Sequence, residues 1–325
     1  MEEQLFRNRL DLGNLQQAVV NIKTEINKII VGQDEMIELL IAAILADGHV
    51  LIEGVPGVAK TLTAKLLSRT MSVNFSRIQF TPDLMPSDII GTSIFNLKTS
   101  EFEFKKGPLF SNIVLIDEIN RAPAKTQSAL FEAMEERQIT ADGKTYTLTA
   151  PFIVLATQNP IEQEGTYRLP EAQLDRFIFK IEVNYPTIEE ETKILTEYHS
   201  RKNTVDLSSV LSVINASDIK SFRSNVSELH IDSNLIAYIA KIVNQTRNNS
   251  ALYLGASPRA SLAILSTSKA IAAIRGRDFV LPDDVKFVAP HVLKHRVLLT
   301  PEKEMEGIAT TDIIKQIVEQ IEIPR

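Results

Sequence analysis

Apolar positions along the chain change their spacing near residue 48, which divides the first half into helical and strand-like segments. Leu15, Val19, Ile22, Ile26 and Ile29 recur every three or four residues and predict an amphipathic helix. Further helices are expected over 35–46 and 61–70. Short apolar runs typical of buried strands lie at 49–53, 74–80, 112–116, 152–156 and 177–183. Strands that alternate with helices predict a parallel sheet covered on both faces.

Two segments interrupt this alternation. Residues 92–104 alternate apolar and polar side chains, which predicts a hairpin-like insertion, and Asp142-Gly143 between β-prone flanks predicts a hairpin over 138–149. After Pro186 the pattern is mostly helical, with helices expected at 188–199, 233–248, 258–274 and 283–295. We therefore expect an α/β core over 1–185 and a helical domain over 186–325.

Composition narrows the class of protein. A chain of 325 residues with 44% hydrophobic and 23% charged residues is typical of a folded globular protein of about two domains. The net charge of −6 gives no global attraction for nucleic acid or anionic lipid, and the absence of cysteine excludes disulfides and thiol catalysis. The acidic start is unlike a signal peptide, and the longest apolar run, 39–46, is far below the roughly 20 residues of a membrane span. We expect a soluble cytoplasmic protein.

A glycine-rich segment joins the predicted strand at 49–53 to the helix at 61–70. It reads Gly54-Val55-Pro56-Gly57-Val58-Ala59-Lys60-Thr61. Backbone N–H groups of such a loop and the following helix N-terminus bind phosphate. We expect Lys60 to reach the β- and γ-phosphates, Thr61 to bind Mg²⁺, and Leu62 to complete the nucleotide-contacting segment. Ala59 stands where glycine is usual, and its methyl group fits there if its backbone is right-handed helical. The alternative is a glycine-rich turn with a chance Lys-Thr pair.

Paired carboxylates end the apolar run at 112–116. Because burying charge is unfavourable, a buried strand that ends in Asp117 and Glu118 indicates a function. Asp117 is predicted to bind Mg²⁺ and Glu118 to orient and activate water. The alternative is a pair of solvated acids at the start of the next helix.

A polar amide follows the run at 152–156. Asn159 would lie at the carboxyl end of its strand, which is the ligand-binding edge of an open α/β sheet. It is a candidate to position the attacking water or to contact the γ-phosphate. An asparagine in a turn before Pro160 is the alternative.

Together these motifs resemble those of the MoxR family of AAA+ ATPases, over residues 30–297. The resemblance also rests on Val31-Gly32-Gln33, on the segments 117–122, 156–160 and 169–177, and on Gly255-Ala256-Ser257-Pro258-Arg259. It implies a P-loop NTPase αβα sandwich with a parallel sheet, followed by a smaller all-α lid domain. It also implies that 92–104 is the family's helix-2 insert and that 138–149 is its pre-sensor-1 hairpin.

The resemblance implies a role for each motif residue. These roles are an adenine pocket beginning at Val31 and Gly32, Walker A at Lys60 and Thr61, Walker B at Asp117 and Glu118, sensor 1 at Asn159, an arginine finger toward the neighbouring subunit at Arg176, and sensor 2 at Arg259.

Helix chemistry gives an independent reason to single out Arg259. Ser257 is a good N-cap and Pro258 a good first helical residue, which places Arg259 in the first turn, where the helix dipole disfavours a cation. A functional role, such as reaching phosphate from the lid, would account for it. For Arg176 a surface ion pair is the alternative, and Arg168 or Arg121 could make the contact between subunits instead.

The resemblance further implies Mg²⁺-dependent ATP hydrolysis coupled to chaperone-like remodelling or maturation of a protein client. A hexameric ring and a partner with a von Willebrand factor A domain belong to that expectation. A DNA-dependent motor or loader and a slow nucleotide-gated scaffold remain open on the same fold. Nucleic acid is not the expected partner, because the insert carries only Lys98, Lys105 and Lys106 as basic residues.

Overall fold

The computed structural model describes residues 10–159, 167, 169–201 and 206–323. Its strands are β1 (His49–Gly54), β2 (Phe75–Gln79), β3 (Gly91–Asn96), β4 (Glu101–Lys106), β5 (Ile113–Asp117), β6 (Gln138–Ala141), β7 (Lys144–Thr147), β8 (Ile153–Gln158), β9 (Phe177–Val183), β10 (Leu252–Leu254) and β11 (Leu298–Leu299). Its α-helices are α1 (Gly13–Asn27), α2 (Asp34–Leu45), α3 (Lys60–Thr70), α4 (Pro86–Ile90), α5 (Ala124–Glu136), α6 (Glu171–Leu174), α7 (Ile188–Ser200), α8 (Ala216–Glu228), α9 (Ser233–Arg247), α10 (Pro258–Ile274), α11 (Pro282–Leu293), α12 (Pro301–Met305) and α13 (Thr310–Gln320).

A five-stranded parallel sheet lies at the centre of the fold, in the order β2-β5-β8-β1-β9. Every residue of β5 is buried, and β8 is buried except at its last residue, because helices cover both faces. The predicted α/β class with a parallel sheet is confirmed. Since the strands are parallel, the segments that follow β1, β5 and β8 all leave from one edge, here called the carboxyl edge. Strand β9 begins at the opposite, amino edge, beside the start of β1.

The two predicted hairpins are present and lie against each other. Strand β3 pairs with β4, and β6 pairs with β7, both antiparallel. Phe104 of the first hairpin stacks on Tyr146 of the second with ring centroids 4.6 Å apart, and Ser93 donates a hydrogen bond to Asp142. The two insertions therefore form one unit on the core.

The C-terminal part is helical apart from the antiparallel pair of β10 and β11. Helix α10 packs on α11 and α9, and also on α2 of the N-terminal part. One cluster of buried apolar residues accordingly runs from Leu12 to Val318. Within the described ranges, no helix combines the length and apolar character needed to cross a membrane.

Candidate active site

The phosphate loop connects β1 to α3, as the sequence predicts. Helix α3 begins at Lys60, whose ammonium donates to the Gly54 carbonyl at 2.5 Å. Burial lowers the pKa of Lys60, and the negative charges of Asp117, Glu118 and Glu53 oppose that shift. The lysine is therefore already held against the loop, with Asp117 and Glu118 within electrostatic reach. Thr61 follows it in the first turn of α3, half-buried.

Ala59 has a left-handed backbone, with φ 57° and ψ 19°. The condition under which its methyl group fits easily, a right-handed helical backbone, is not met. An L-residue with a Cβ is disfavoured there by about 1–2 kcal/mol per residue. The phosphate loop thus holds local strain at the position where glycine is usual.

Gln33 anchors this strained loop. Its amide donates to the Val58 carbonyl at 2.6 Å and accepts from the Thr63 hydroxyl at 3.2 Å. The side chain therefore links the start of α2 to both the loop and α3. Sequence reasoning placed Gln33 in a motif without giving it a role, because its partners are brought to it by tertiary structure.

A cavity of about 420 Å³ lies beside the phosphate loop. It is lined by the predicted residues Val31, Gly32, Gly57, Val58, Ala59 and Leu62, and by Tyr198 and Arg201 near the end of α7. Gly32 has φ +76°, a backbone conformation that favours glycine, and a Cβ there would lie 2.4 Å from the end of the Glu190 side chain of α7. The volume lies within the range of small-molecule sites and suits a nucleobase and its sugar. Val55 and Pro56 belong to the loop outside this lining.

Asp117 and Glu118 lie at the carboxyl edge, where β5 ends. The buried Asp117 carboxylate accepts from the Thr157 hydroxyl at 3.2 Å and from Nε of Arg77 at 2.5 Å. Glu118 has φ 58°, and its backbone N–H donates to Thr157 at 3.1 Å. Its carboxylate accepts from the Gln79 amide at 2.8 Å. Thr157, Arg77 and Gln79 therefore position the acids, and sequence reasoning gave none of them a role.

The donors at this edge suit Mg²⁺. A threonine hydroxyl at Thr61 and a carboxylate at Asp117 are hard oxygen ligands, and Mg²⁺ commonly takes one or two of these together with substrate phosphates and water. Among the described residues no cluster of three or more His, Cys, Asp or Glu side chains could hold a metal by itself. Asn159 follows β8, the neighbour of β5, and so lies at the same edge.

Arg176 and Arg259 lie together at the amino edge. Arg176 immediately precedes β9, and its Nη2 lies 2.6 Å from Oε2 of Glu135. Arg259, in the first turn of α10, places its Nη2 2.8 Å from Oε1 of the same carboxylate. Ser257 caps α10 by accepting the Arg259 N–H at 3.2 Å, as the sequence predicts.

This pair is far from the phosphate loop of its own chain. Phe177, next to Arg176, pairs with His49 at the start of β1, whereas the phosphate loop follows Gly54 at its end. Six residues of strand separate the two ends, about 17–20 Å at the usual rise. The predicted catalytic residues therefore form two groups at opposite edges of one sheet.

The two other arginines considered for a contact between subunits differ in position. Arg121 lies at the carboxyl edge, where its Nε is 3.0 Å from Oε2 of its own Glu118. Arg168 lies outside the described residues.

The fold and the carboxyl-edge site define a class, the P-loop ATPases with a helical lid, and comparison with known proteins agrees. Residues 49–179 match the family model for the ATPase family associated with various cellular activities (AAA), and residues 244–317 match the AAA lid domain. A solved structure from Cytophaga hutchinsonii has a TM-score of 0.88 and 44% identity, covering 95% of this chain and 96% of that one.

Curated relatives narrow the class to one family. YeaC of Bacillus subtilis is 46% identical over 92% of each chain. Chaperone MoxR1 of Mycobacterium tuberculosis is 43% identical, covering 97% of this chain and 84% of the relative. Protein MoxR of Methylorubrum extorquens is 28% identical, covering 96% and 97%. The chain belongs to the MoxR family of AAA+ ATPases, and this membership supports ATPase activity.

Proposed function

We propose that this chain hydrolyses ATP with Mg²⁺ in a site shared between neighbouring copies, and that turnover remodels a protein client. The observation that carries the proposal is the separation of Lys60 and Glu118 from Arg176 and Arg259 by the length of β1. In the proposed head-to-tail assembly, the amino edge of one copy faces the carboxyl edge of the next. Such contacts form a ring when the rotation between copies closes. A hexamer is the ring that the family resemblance implies.

Each group of residues has a distinct task in this mechanism. The loop over 54–61 binds the phosphates through backbone N–H groups and Lys60. Bound Mg²⁺, held by Thr61 and Asp117, would neutralise charge on the phosphates. Glu118 accepts a proton from the attacking water, which Asn159 helps to position.

The arginines of the neighbouring copy complete the site. Arg176 and Arg259 stabilise the negative charge that develops on the γ-phosphoryl group. A single arginine in this role contributes about 10³–10⁵-fold to turnover in other phosphate-hydrolysing enzymes. An isolated copy should therefore hydrolyse ATP poorly, and its specific activity should rise with protein concentration.

Mixing two inactive variants tests the shared site. Lys60→Ala disables the nucleotide-binding half of the shared site, which contains the phosphate loop and Glu118, and leaves the arginines intact. Arg176→Ala disables the arginine half and leaves the nucleotide-binding half intact. Each variant alone is expected to be inactive. An equal mixture should recover about one quarter of wild-type turnover, since a quarter of random head-to-tail interfaces pair the two intact halves.

The matched control is a mixture of Lys60→Ala with Glu118→Gln. Both changes lie on the nucleotide side, so no interface is complete and no activity returns. Glu118→Gln alone should still bind ATP. A Lys60→Ala and Arg176→Ala mixture as inactive as its components would refute the shared site.

The chaperone-like part of the proposal is supported by the name of a relative, Chaperone MoxR1. It predicts ATP-dependent protection of a chemically denatured test protein from aggregation, absent in Glu118→Gln. The resemblance adds a partner with a von Willebrand factor A domain. Strong stimulation of ATP hydrolysis by added DNA would instead favour the motor. We also propose a boundary between core and lid near residue 185, between the end of β9 and the start of α7.

A further inference from the structure

One carboxylate joins the two arginines of the amino edge. Glu135, in the last turn of α5, forms ion pairs with Arg176 at 2.6 Å and with Arg259 at 2.8 Å. The arginines reach it from separate parts of the chain, one from the start of β9 and the other from the first turn of α10. Glu135 thus links the start of β9 to the first turn of α10 through a shared ion pair.

Helix α5 supports Arg176 with a second side chain. Phe131 lies one helical turn before Glu135, on the same face of α5. The Arg176 guanidinium carbon is 5.7 Å from the centroid of this buried ring. Phe131 also packs edge-on against Phe177, the residue after Arg176, with centroids 5.9 Å apart. The aromatic face and the carboxylate together restrict where the guanidinium can lie.

The start of α10 is fixed by a separate set of contacts. The Asp175 carboxylate accepts from the Ser257 hydroxyl at 2.9 Å and from Nε of Arg296 at 2.7 Å. Because Asp175 directly precedes Arg176 and Ser257 caps α10, the backbones that carry both arginines are tied together. Glu135 additionally links the guanidinium ends of the two side chains.

The shared carboxylate leaves the guanidiniums able to donate elsewhere. Each guanidinium has five N–H donors, and its closest contact with Glu135 is through Nη2. The Arg176 side chain is 30% exposed and that of Arg259 is 52% exposed, so both can be reached from outside the chain. Both arginines line a cavity of about 830 Å³ at the amino edge. The two guanidiniums repel each other, and the carboxylate of Glu135 offsets this repulsion because it attracts both.

We propose that Glu135 is a positioning residue that holds Arg176 and Arg259 as a pair for the phosphates of the neighbouring copy. The inference rests on the proposed function, since Glu135 acts only through the two arginines. It predicts that Glu135→Ala lowers kcat about 10- to 100-fold, the range expected when catalytic groups are displaced by up to 1 Å. Binding of a fluorescent ATP analogue to the variant should be unchanged.

The matched control is Glu136→Ala, which removes the same charge from the next, exposed residue of α5 and should retain wild-type turnover. Mixing distinguishes a positioning role from general damage. Glu135→Ala should gain activity when mixed with Lys60→Ala, which supplies intact arginines. Mixed with Arg176→Ala, it should show no more than its own low turnover. If Glu135→Ala unfolds at the assay temperature, Glu135→Gln, which keeps the size of the side chain, replaces it.

Two results would overturn the role of Glu135. One is wild-type turnover in Glu135→Ala. The other is failure of Lys60→Ala to rescue it under conditions where Lys60→Ala rescues Arg176→Ala. If Arg176→Ala itself is not rescued, the shared site fails and the role of Glu135 falls with it, so the two failures can be told apart.

Discussion

His49, at the start of β1, is a buried histidine whose hydrogen bonds require it to be neutral. Its Nδ1 accepts the N–H of Val154 at 2.9 Å, and its Nε2 lies 3.1 Å from the Met134 carbonyl. A carbonyl can only accept and an N–H can only donate, so the proton must be on Nε2. A second proton, on Nδ1, would oppose the Val154 N–H and break that hydrogen bond.

The size of the resulting pH effect follows from the pKa. Burial, and secondarily the positive charge of Arg137, lower the pKa of His49 to about 3. The ordinary value in an unfolded chain is about 6.5. Between these values the unfolded chain binds a proton that the folded chain does not, so stability is lost as the pH falls through this window. At pH 5 the loss from His49 is about 2 kcal/mol, from roughly 1.5 pH units at 1.36 kcal/mol each.

The assay is the free energy of unfolding in urea at pH 7.5 and at pH 5.0. His49→Gln should be less stable than wild type at pH 7.5, because it loses buried hydrogen bonds, but its loss between the two pH values should be smaller by about 2 kcal/mol. His199→Gln, on the exposed part of α7, is the matched control and should lose as much as wild type. Equal losses in His49→Gln and wild type would refute the reasoning.

Three further changes test the site and the helical part. Ala59→Gly removes a left-handed alanine, and we expect the free energy of unfolding in urea to rise by about 1 kcal/mol; a fall would contradict strain in the loop. Asp284→Asn removes a fully buried charge bound by two arginines and should lower the free energy of unfolding by about 3 kcal/mol or more. The control Asp283→Asn, at an exposed position, should change it by less than about 0.5 kcal/mol. Gln33→Ala releases the phosphate loop and should weaken binding of a fluorescent ATP analogue about 10-fold, for one or two lost hydrogen bonds; unchanged affinity would show that the loop holds its shape without this side chain.

The sheet was open to prediction because its signals are local. Strands buried on both faces are short apolar runs, and each run ends in a residue that breaks the pattern, such as Gly54 or Asp117. The helices of the C-terminal part were harder to predict from the sequence. Helix α8 buries only Ile219 and Val226 among its thirteen residues, too few to make a clear period. Helix α13, by contrast, carries isoleucines at helical spacing, a local signal sufficient to predict it.

The candidate site likewise contains features with a local sequence signal and features that depend on tertiary contacts. The anion-binding loop consists of consecutive residues, so its position can be predicted from the sequence. The serine cap of α10 can be predicted for the same reason. The left-handed backbone of Ala59 does not, because alanine gives no sign of that conformation. Nor do the contacts of Gln33 and Glu135, whose partners are 25 or more residues away along the chain and meet them only through the fold.

Strand direction also bears on whether Arg259 could act on the nucleotide of its own chain. For Arg259 to reach its own phosphate loop, the start of α10 would have to move from the amino edge to the carboxyl edge, about the length of β1. That movement would break the ion pair with Glu135 and the hydrogen bond between Ser257 and Asp175. Action on a neighbouring copy breaks neither contact and keeps Arg259 beside Arg176. The contacts within a single chain therefore favour Arg176 and Arg259 acting together on the nucleotide of a neighbouring copy.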